Sequence, residues 1–569
     1  MCETLSDHRL SVAKDFVHTM IVVDDQASYE DGSDVAVAGA EITAKPSRRA
    51  AKETRSDDEN QKRIEHRLNV EALTKSAFEH GLVCSVLRPT KNEDVTSSVV
   101  RASERVDIVS LDWELFDDKG DIALGLLKRI MMRDAEVNGR LRLVSIYTGD
   151  TGRAEILKKI HESFDQTERD ERRLTLRDDD IISNDGLRII CLTKAHGRTL
   201  TGEAKRFQVA EKDLPERLLR EFSDFPNGGL LSNVALAAVA SIRRTAHHVV
   251  NRFNRTMDGP FLHHRATIAM SEDSGSYALG IIMGELKNAV IHDNVVRRYT
   301  GDDAVRRRVA EAFGGSNKRS ITYGQSENQK NIEFNQKQAQ AMFVDGLRKF
   351  AEGNDKPGGF PGKNNLPRLS RCLTSFFEDG TTESSRAQQE FAFLTTVRSH
   401  PANPSIKRGD VIPELGLGTI VFIEGTDEYL LCIQASCDSV RVESNSPFVF
   451  ARLTATRDDK PEFIVPIQDG DAYAGLDVVQ RAYTKLLALH FMPDASTGTV
   501  LAEKLEVDGV IVGYRFPAIG EDGQCVMKNL RWVADIKRRR VLRTVQRLAQ
   551  EMGRIGFDEF EPFRKQSSN

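Results

Sequence analysis

The sequence predicts an α/β fold with a doubly wound, parallel five-stranded sheet over residues 1–226. Two observations support this prediction. Short apolar runs rich in β-branched residues alternate with stretches of helical spacing, and such alternation is typical of βαβ units with parallel strands. Polar residues directly follow four of the runs, as expected where parallel strands end at one edge of a sheet.

The five apolar runs are the predicted strands, and helices lie between them. The strands are predicted at 16–23, 82–87, 106–111, 141–147 and 187–192. Apolar residues at helical spacing predict helices in the intervals, beginning with Val70, Leu73 and Ala77, continuing at 122–131 and closing at 214–222. Two charged segments, at 27–63 and at about 165–182, are predicted to be insertions.

The pattern of apolar residues changes twice in the remaining chain. Residues 227–400 are predicted to be a mostly helical middle region, because apolar residues recur there at steps of three and four. Residues 401–569 are predicted to form a C-terminal α+β domain that ends in an amphipathic helix with Val541, Val545 and Leu548 on one face. Residues 226–229, Pro-Asn-Gly-Gly, predict an exposed boundary after the first domain.

Composition narrows the class of protein. Hydrophobic residues make up 40% and charged residues 29%, which is typical of a soluble globular chain. A net charge of -5 gives no electrostatic case for a large nucleic-acid-binding surface, and no membrane partner is expected. No uninterrupted apolar run is long enough to span a bilayer, and the seven cysteines are widely spaced, so we expect reduced thiols and a cytoplasmic location.

The polar residues at the strand ends occur in the order Asp24-Asp25, Asp112, Thr148, Lys194. This order resembles that of response-regulator receiver domains, whose fold is flavodoxin-like, and the resemblance covers about residues 14–225. It implies that Asp24 and Asp25 hold Mg2+ and that Asp112 is the phosphoacceptor. It also implies that Thr148 contacts the phosphoryl group and that Lys194 pairs with it.

The physical chemistry of these residue types agrees with those roles. Crowded carboxylates repel one another, and a hard divalent cation relieves the repulsion through oxygen ligands. Two further ligands of the Mg2+ ion are expected, the Asp112 carboxylate and a backbone carbonyl near Glu114. A cation and an ammonium group together neutralise the charge on a transferring phosphoryl group, which is most of what such catalysis requires.

The overall plan resembles that of large bacterial proteins with a divergent response receiver domain, including the non-effector component of Detocs-type phage-defence phosphorelays. This resemblance implies a histidine kinase or phosphotransfer protein as partner, and possible exchange with an effector protein. The alternative is an effector enzyme in residues 230–569 gated by the receiver. The intact set of site residues argues against a third hypothesis, a degenerate receiver that only binds a partner. His247 and His248 are interpreted as solvated or interface histidines rather than a phosphate relay.

Overall fold

A computed structural model describes most of the chain. The described residues are 5–29, 67–91, 94–137, 139–183, 186–195, 200–225, 229–268, 273–324, 329–377, 381–401, 412–440, 442, 446–456, 461–467, 473–479, 486–508, 510–520 and 526–552. Backbone contacts divide the chain into two compact units, 1–370 and 371–569. The boundaries at 226 and 400 differ from this division and stay predictions about which pieces fold alone. The predicted insertion at 27–63 falls outside the described residues from residue 30 onwards.

The first unit contains a mixed sheet in which the five strands predicted from the sequence run parallel. The strands of this unit are β1 (Thr19–Val23), β2 (Ala27–Ser28), β3 (Leu68–Asn69), β4 (Val83–Leu87), β5 (Ile108–Leu111), β6 (Arg142–Thr148), β7 (Thr175–Leu176), β8 (Asp180–Ile182), β9 (Leu187–Lys194), β10 (Gln208–Val209), β11 (Arg319–Tyr323) and β12 (Lys330–Phe334). The parallel strands lie in the order β4-β1-β5-β6-β9. This doubly wound order brings the ends of β1 and β5 side by side at the middle of the sheet.

Helices cover both faces of this sheet. The helices of the first unit are α1 (Leu5–Phe16), α2 (Val70–Glu79), α3 (Val95–Ser103), α4 (Asp121–Ala135), α5 (Arg153–Glu162), α6 (Gln166–Arg172), α7 (Leu214–Ser223), α8 (Leu230–Arg252), α9 (Asp258–Thr267), α10 (Asp273–His292), α11 (Asn294–Thr300), α12 (Asp302–Ala312), α13 (Gln336–Asp345) and α14 (Leu347–Glu352). One core contains apolar residues of α3, α4 and α5, and the other contains apolar residues of α1, α2 and α7. The sheet therefore separates two hydrophobic cores.

The sheet extends beyond the five predicted strands. The charged segment at about 165–182 forms α6 and the antiparallel pair β7 and β8, and β8 pairs antiparallel with β9. The short strand β10 pairs in parallel with β9. Among the described residues the sheet thus has eight strands rather than five.

Two helices differ from the sequence-based expectation. The predicted first strand began at Phe16, but Phe16 is the last residue of α1, and β1 starts at Thr19, where the amides of His18 and Thr19 donate to Asp107. The helix α3 was not predicted, because its residues are rich in valine, serine and threonine, which have low helix propensity. The Asp94 side chain caps its first turn by accepting from the Ser97 amide.

The second unit is built around an antiparallel sheet. Its strands are β13 (Val397–Ser399), β14 (Thr419–Ile423), β15 (Tyr429–Cys432), β16 (Pro447–Thr456), β17 (Phe463–Pro466), β18 (Tyr473–Val478), β19 (Leu486–His490), β20 (Glu503–Val507), β21 (Val510–Ile519) and β22 (Val526–Ile536), and the helices from the division onwards are α15 (Leu366–Arg371), α16 (Thr381–Thr396) and α17 (Arg538–Met552). The strands β22, β14, β15, β16, β19 and β21 pair in succession, and β21 pairs again with β22. The sheet therefore closes into a ring, and the buried faces of Val541 and Leu548 on α17 join a core beside it.

Candidate functional site

Two aspartates meet at the carboxyl ends of β1 and β5 because the register of these strands is matched. Val23 is the partner of Leu111, so Asp24 and Asp112 occupy equivalent positions just beyond the strands. The Asp112 amide donates to the Val23 carbonyl at 2.9 Å, and the Asp24 amide donates to the Leu87 carbonyl at 3.1 Å. These bonds continue the ladder by one residue and hold both carboxylates at the sheet edge.

Lys194, the last residue of β9, joins the two carboxylates. Its Nζ donates to Asp24 Oδ2 at 2.7 Å and to Asp112 Oδ2 at 2.8 Å. All three side chains are almost completely buried, with 1–2% of each residue exposed. The cluster is therefore a buried ion-pair network in which one ammonium group faces two carboxylates.

The electrostatics of this network are dominated by burial. Burial raises the pKa of Asp24 to about 6, the Lys194 ammonium opposes that shift, and the neighbouring Asp112 reinforces it. For Lys194, burial alone would lower the pKa, but the carboxylates of Asp112 and Asp24 outweigh it and the pKa is raised. Lys194 is therefore a fixed positive charge, whereas Asp24 is poised between its two protonation states near pH 6.

Asp25 completes a set of oxygen atoms that suits a hard cation. Carboxylate oxygens of Asp24, Asp25 and Asp112 lie within 4.8 Å of one another. Asp25 Oδ1 and Asp112 Oδ1 are buried with no hydrogen-bond partner within the described part of the chain. Burial raises the pKa of Asp25, while the Phe116 amide, which donates to Asp25 Oδ2 at 3.1 Å, opposes the shift. Orphaned, crowded carboxylate oxygens of this kind fit the ligand preference of Mg2+.

Thr148 and Glu114 flank the carboxylate cluster. Thr148 ends β6 as the register partner of Thr193, next to Lys194, and its buried hydroxyl accepts from the Asp150 amide at 3.2 Å. Glu114 lies half-buried, two residues beyond Asp112 on the same loop. The strand ends thus bring the predicted aspartates, Thr148 and Lys194 to one edge of the sheet, and side-chain contacts directly join Asp24, Asp112 and Lys194.

The loop that follows Asp112 has an unusual backbone. Phe116, Asp117 and Lys119 have φ values of 60–62°, in the left-handed region that non-glycine residues rarely adopt. Gly120 has φ +92°, and a Cβ there would lie 2.3 Å from the Trp113 ring. The sequence showed the glycine but not its close approach to Trp113. Six residues separate Trp113 from Gly120, and this spacing alone does not indicate that the two residues are in contact.

Tyr147 is a further neighbour of the site that was not predicted. The Lys194 Nζ lies 5.8 Å from the centroid of its ring, and its hydroxyl donates to the Val209 carbonyl at 2.9 Å. Burial raises the pKa of Tyr147 well above its ordinary value, so the phenol stays neutral beside the charged cluster. Only its place one residue before Thr148 could have drawn attention to it.

Comparison with known proteins agrees with this geometry. Residues 16–199, about a third of the chain, match the family model described as a response receiver domain. No curated protein and no solved structure matches the chain. Residues 16–199 are therefore a response-regulator receiver domain. The chain carries the phosphoryl-accepting module of two-component signalling, a module that implies a kinase or phosphotransfer partner.

One further observation bears on the class of protein. In the part of the chain that the structure describes, no helix combines the length and apolar character needed to cross a membrane.

Proposed function

We propose that the chain is a phosphoryl-accepting protein of a bacterial two-component phosphorelay and that Asp112 is its phosphorylated residue. The observation that carries the proposal is the asymmetric environment of this carboxylate. Asp112 Oδ2 accepts from Lys194, while Oδ1 has no hydrogen-bond partner in the described residues. One oxygen is thus anchored and the other is left to react.

The transfer follows from that arrangement. An Asp112 oxygen attacks the phosphorus of the donor, the bond from phosphorus to the donor nitrogen breaks, and that nitrogen keeps the electron pair and takes up a proton. The product is an acyl phosphate on Asp112. Lys194, already bonded to Asp112, stabilises the negative charge on the phosphoryl oxygens. Thr148 is positioned to donate its hydroxyl to one of them.

Asp24, Asp25 and Asp112 would hold Mg2+, together with the backbone carbonyl of Glu114. When bound, this cation would neutralise carboxylate and phosphoryl charge. The support comes from the grouping of the three carboxylates within 4.8 Å and from the orphaned Oδ1 of Asp25.

The test uses the full-length chain, Mg2+ and phosphoramidate, a small donor with a phosphorus–nitrogen bond. Intact mass spectrometry should show one added phosphoryl group that hydroxylamine or base removes. Asp112→Asn should remove the modification, and the matched variant Asp117→Asn, an exposed aspartate on the same loop, should keep it. Equal labelling of wild type and Asp112→Asn would refute the assignment.

We also propose a cellular setting. The layout, a receiver followed by long helical and β-rich parts, is similar to that of the non-effector component of Detocs-type phage-defence phosphorelays. In that setting a cytoplasmic histidine kinase or phosphotransfer protein would supply phosphate, the receiver would transmit or buffer it, and residues 371–569 would serve as an interaction or regulatory module. Deleting the histidine kinase that supplies the phosphoryl group should then abolish acyl phosphate on the chain in infected cells.

A second candidate function, a receiver-gated effector enzyme, is favoured by a cavity in the second unit. This cavity, of about 330 Å³, is lined by His400, Glu414, Trp532 and Asp535 among others. Asp535 is almost fully buried and accepts from the Thr419 hydroxyl at 2.9 Å, and burial raises its pKa. Burial also lowers the pKa of His400. The cavity is thus lined by a buried carboxyl group and an imidazole, two residue types that serve in acid–base catalysis.

The two candidates differ in a thermal-shift screen of small metabolites against the full chain. An effector enzyme predicts a ligand that stabilises the wild type and loses its effect in Asp535→Asn. An interaction module predicts no such ligand.

A further inference from the structure

The middle of the first unit contains a helical arm, which we define as residues 242–268 and 273–292 and which comprises the second half of α8, α9 and α10. The first half of α8 is well packed, because Leu236 and Ala237 form a buried cluster with Val12 of α1 and Tyr299 of α11. Beyond Ser241 the described part of α8 buries only Val249. The helix α9 contains no buried residue.

Large apolar side chains are concentrated on the surface of this arm. Ten of the 27 exposed large hydrophobic residues in the described chain lie there, although the arm makes up only about a tenth of the described residues. They are Val250, Phe253, Met257, Phe261, Leu262, Tyr277, Leu279, Ile281, Met283 and Ile291. Such a concentration differs from the scattered single residues of an ordinary surface.

Contacts within the arm leave α9 without a buried face. A ten-residue helix such as α9, with nothing buried, is marginal in water, since helices in proteins are stabilised mainly by packing an apolar face. On α10 the less exposed residues Ala278, Ile282, Leu286 and Ala289 recur at the spacing of one helix face. Tyr277, Leu279 and Met283 lie outside that face and remain more than half exposed. The arm therefore has a second apolar side that needs cover.

The charges on the arm favour an apolar partner. Arg252 pairs with Glu285, and Arg244 pairs with Asp293, so the charged groups that flank the groove between α8 and α10 are already neutralised within the chain. Residues 274–284 of α10 contain no charged residue. An identical surface could approach this stretch without repulsion between like charges.

The dimensions of the arm suit a second copy. The 20 residues of α10 span about 30 Å, and two adjacent helices are about 20 Å wide, so one copy offers about 600 Å² and two copies bury about 1,200 Å². This area reaches the lower end of stable specific interfaces. Gly280 and Gly284 have open space where a side chain would be, so a partner helix can come close.

We propose that the arm is a dimerisation surface and that a second copy of this chain covers it, closing a four-helix bundle from two α8–α10 hairpins. A two-fold axis makes such an interface self-complementary, which is the commonest symmetry of soluble oligomers. The proposal does not depend on phosphoryl transfer. It places two receivers on one bundle, each joined to it through the packing of α1 on α8.

The test measures the mass of the full-length chain by light scattering over a dilution series. The wild type should have twice the one-chain mass of 63.6 kDa. Leu279→Lys/Met283→Lys should raise the dimer dissociation constant by at least about 100-fold, because two buried apolar contacts are replaced by charges. The matched variant Phe78→Lys/Val83→Lys, which adds the same charge at exposed apolar positions of the receiver, should leave the constant unchanged.

A second measurement needs no variant. Hydrogen exchange of arm peptides in the wild type should slow as protein concentration rises, while exchange in β5 and β6 should not change. A one-chain mass at all concentrations would overturn the proposal, and so would arm protection that stays constant over concentrations at which the measured mass changes. The second result would show that another segment of the same chain covers the arm.

Discussion

The buried carboxylate of Asp24 is a functional group that reduces the stability of the folded protein. Its carboxylate is buried beside Asp112, with one ammonium group for two carboxylates. Burying a charge that is only partly compensated is costly. The cost is consistent with a site whose stability depends on a cation and on pH.

The pKa of Asp24 gives a prediction with a definite sign. Because burial raises this pKa from 3.8 to about 6, the folded state keeps a proton that the unfolded state releases between these values. Stability from this group is therefore present below about pH 4 and is lost as pH rises through about 6. In metal-free buffer, the free energy of unfolding of Asp24→Asn, relative to that of the wild type, should therefore rise by on the order of 3 kcal/mol between about pH 4 and about pH 7.

Urea unfolding of both proteins across this pH range, with and without Mg2+, checks the prediction. At about pH 7, Mg2+ should stabilise the wild type and have little effect on Asp24→Asn, whose amide cannot supply a charged ligand. A difference in the free energy of unfolding that does not vary with pH would contradict the assigned role of Asp24.

At the scale of elements, the loop between β5 and α4 depends on one glycine. Gly120→Ala should destabilise this region by about 2–4 kcal/mol, because the residue has φ +92° and its Cβ would collide with the Trp113 ring. Gly125→Ala, five residues further along α4, is the matched control. Nothing lies within 4 Å of its Cβ, so helix propensity should make it neutral or stabilising by up to about 1 kcal/mol.

Hydrogen exchange of peptides from β5 and α4 in the full-length chain measures both effects locally. Faster exchange in Gly120→Ala, and unchanged or slower exchange in Gly125→Ala, is the expected pair of results. Equal behaviour of the two variants would mean that the loop relaxes around the added methyl group.

The ends of the parallel strands could be predicted from the sequence because each apolar run stops abruptly at a polar residue. The runs before Asp24, Asp112 and Lys194 have this form, and the receiver resemblance rests on their order. The helices α1 and α3 could not be predicted in the same way. The first is weakly amphipathic, and the second has residues of low helix propensity and is stabilised by a capping side chain and by packing.

The lysine contacts depend on tertiary structure and lay beyond sequence reasoning. Lys194 reaches Asp24 across 170 positions and Asp112 across 82. A strand-end pattern can indicate that such groups share an edge of the sheet. It cannot show which oxygens are bonded and which are left without a partner, because that depends on rotamers fixed by the surrounding core.

At the scale of the molecule, the receiver packs against helices that follow it in the sequence. Val12 of α1 is fully buried in a cluster with Leu236, Ala237 and Tyr299. These three residues all lie beyond the predicted domain boundary at residue 226. A fragment of residues 1–226, predicted to fold alone, should therefore be less stable than residues 1–370 by about 2–3 kcal/mol, the cost of exposing this cluster.

Urea unfolding of the two fragments, followed by far-ultraviolet circular dichroism, checks this prediction. The shorter fragment should unfold cooperatively but at a lower midpoint. Equal midpoints would show that α8 adds nothing to the receiver, and a non-cooperative transition in 1–226 would place the true boundary beyond α8.

The β7–β8 hairpin has a consequence for self-association through strand pairing. In a five-stranded sheet of this order β9 would be an edge strand, with a row of unpaired amides and carbonyls that can recruit a strand from another molecule. Here β8 covers β9 along residues 188–190, and Arg188 fixes the pairing through its ion pair with Asp180 at 2.7 Å. The charged insertion thus covers the edge of β9, where a strand of another molecule could otherwise pair. Shortening the insertion would expose this edge of β9, the strand that ends in Lys194.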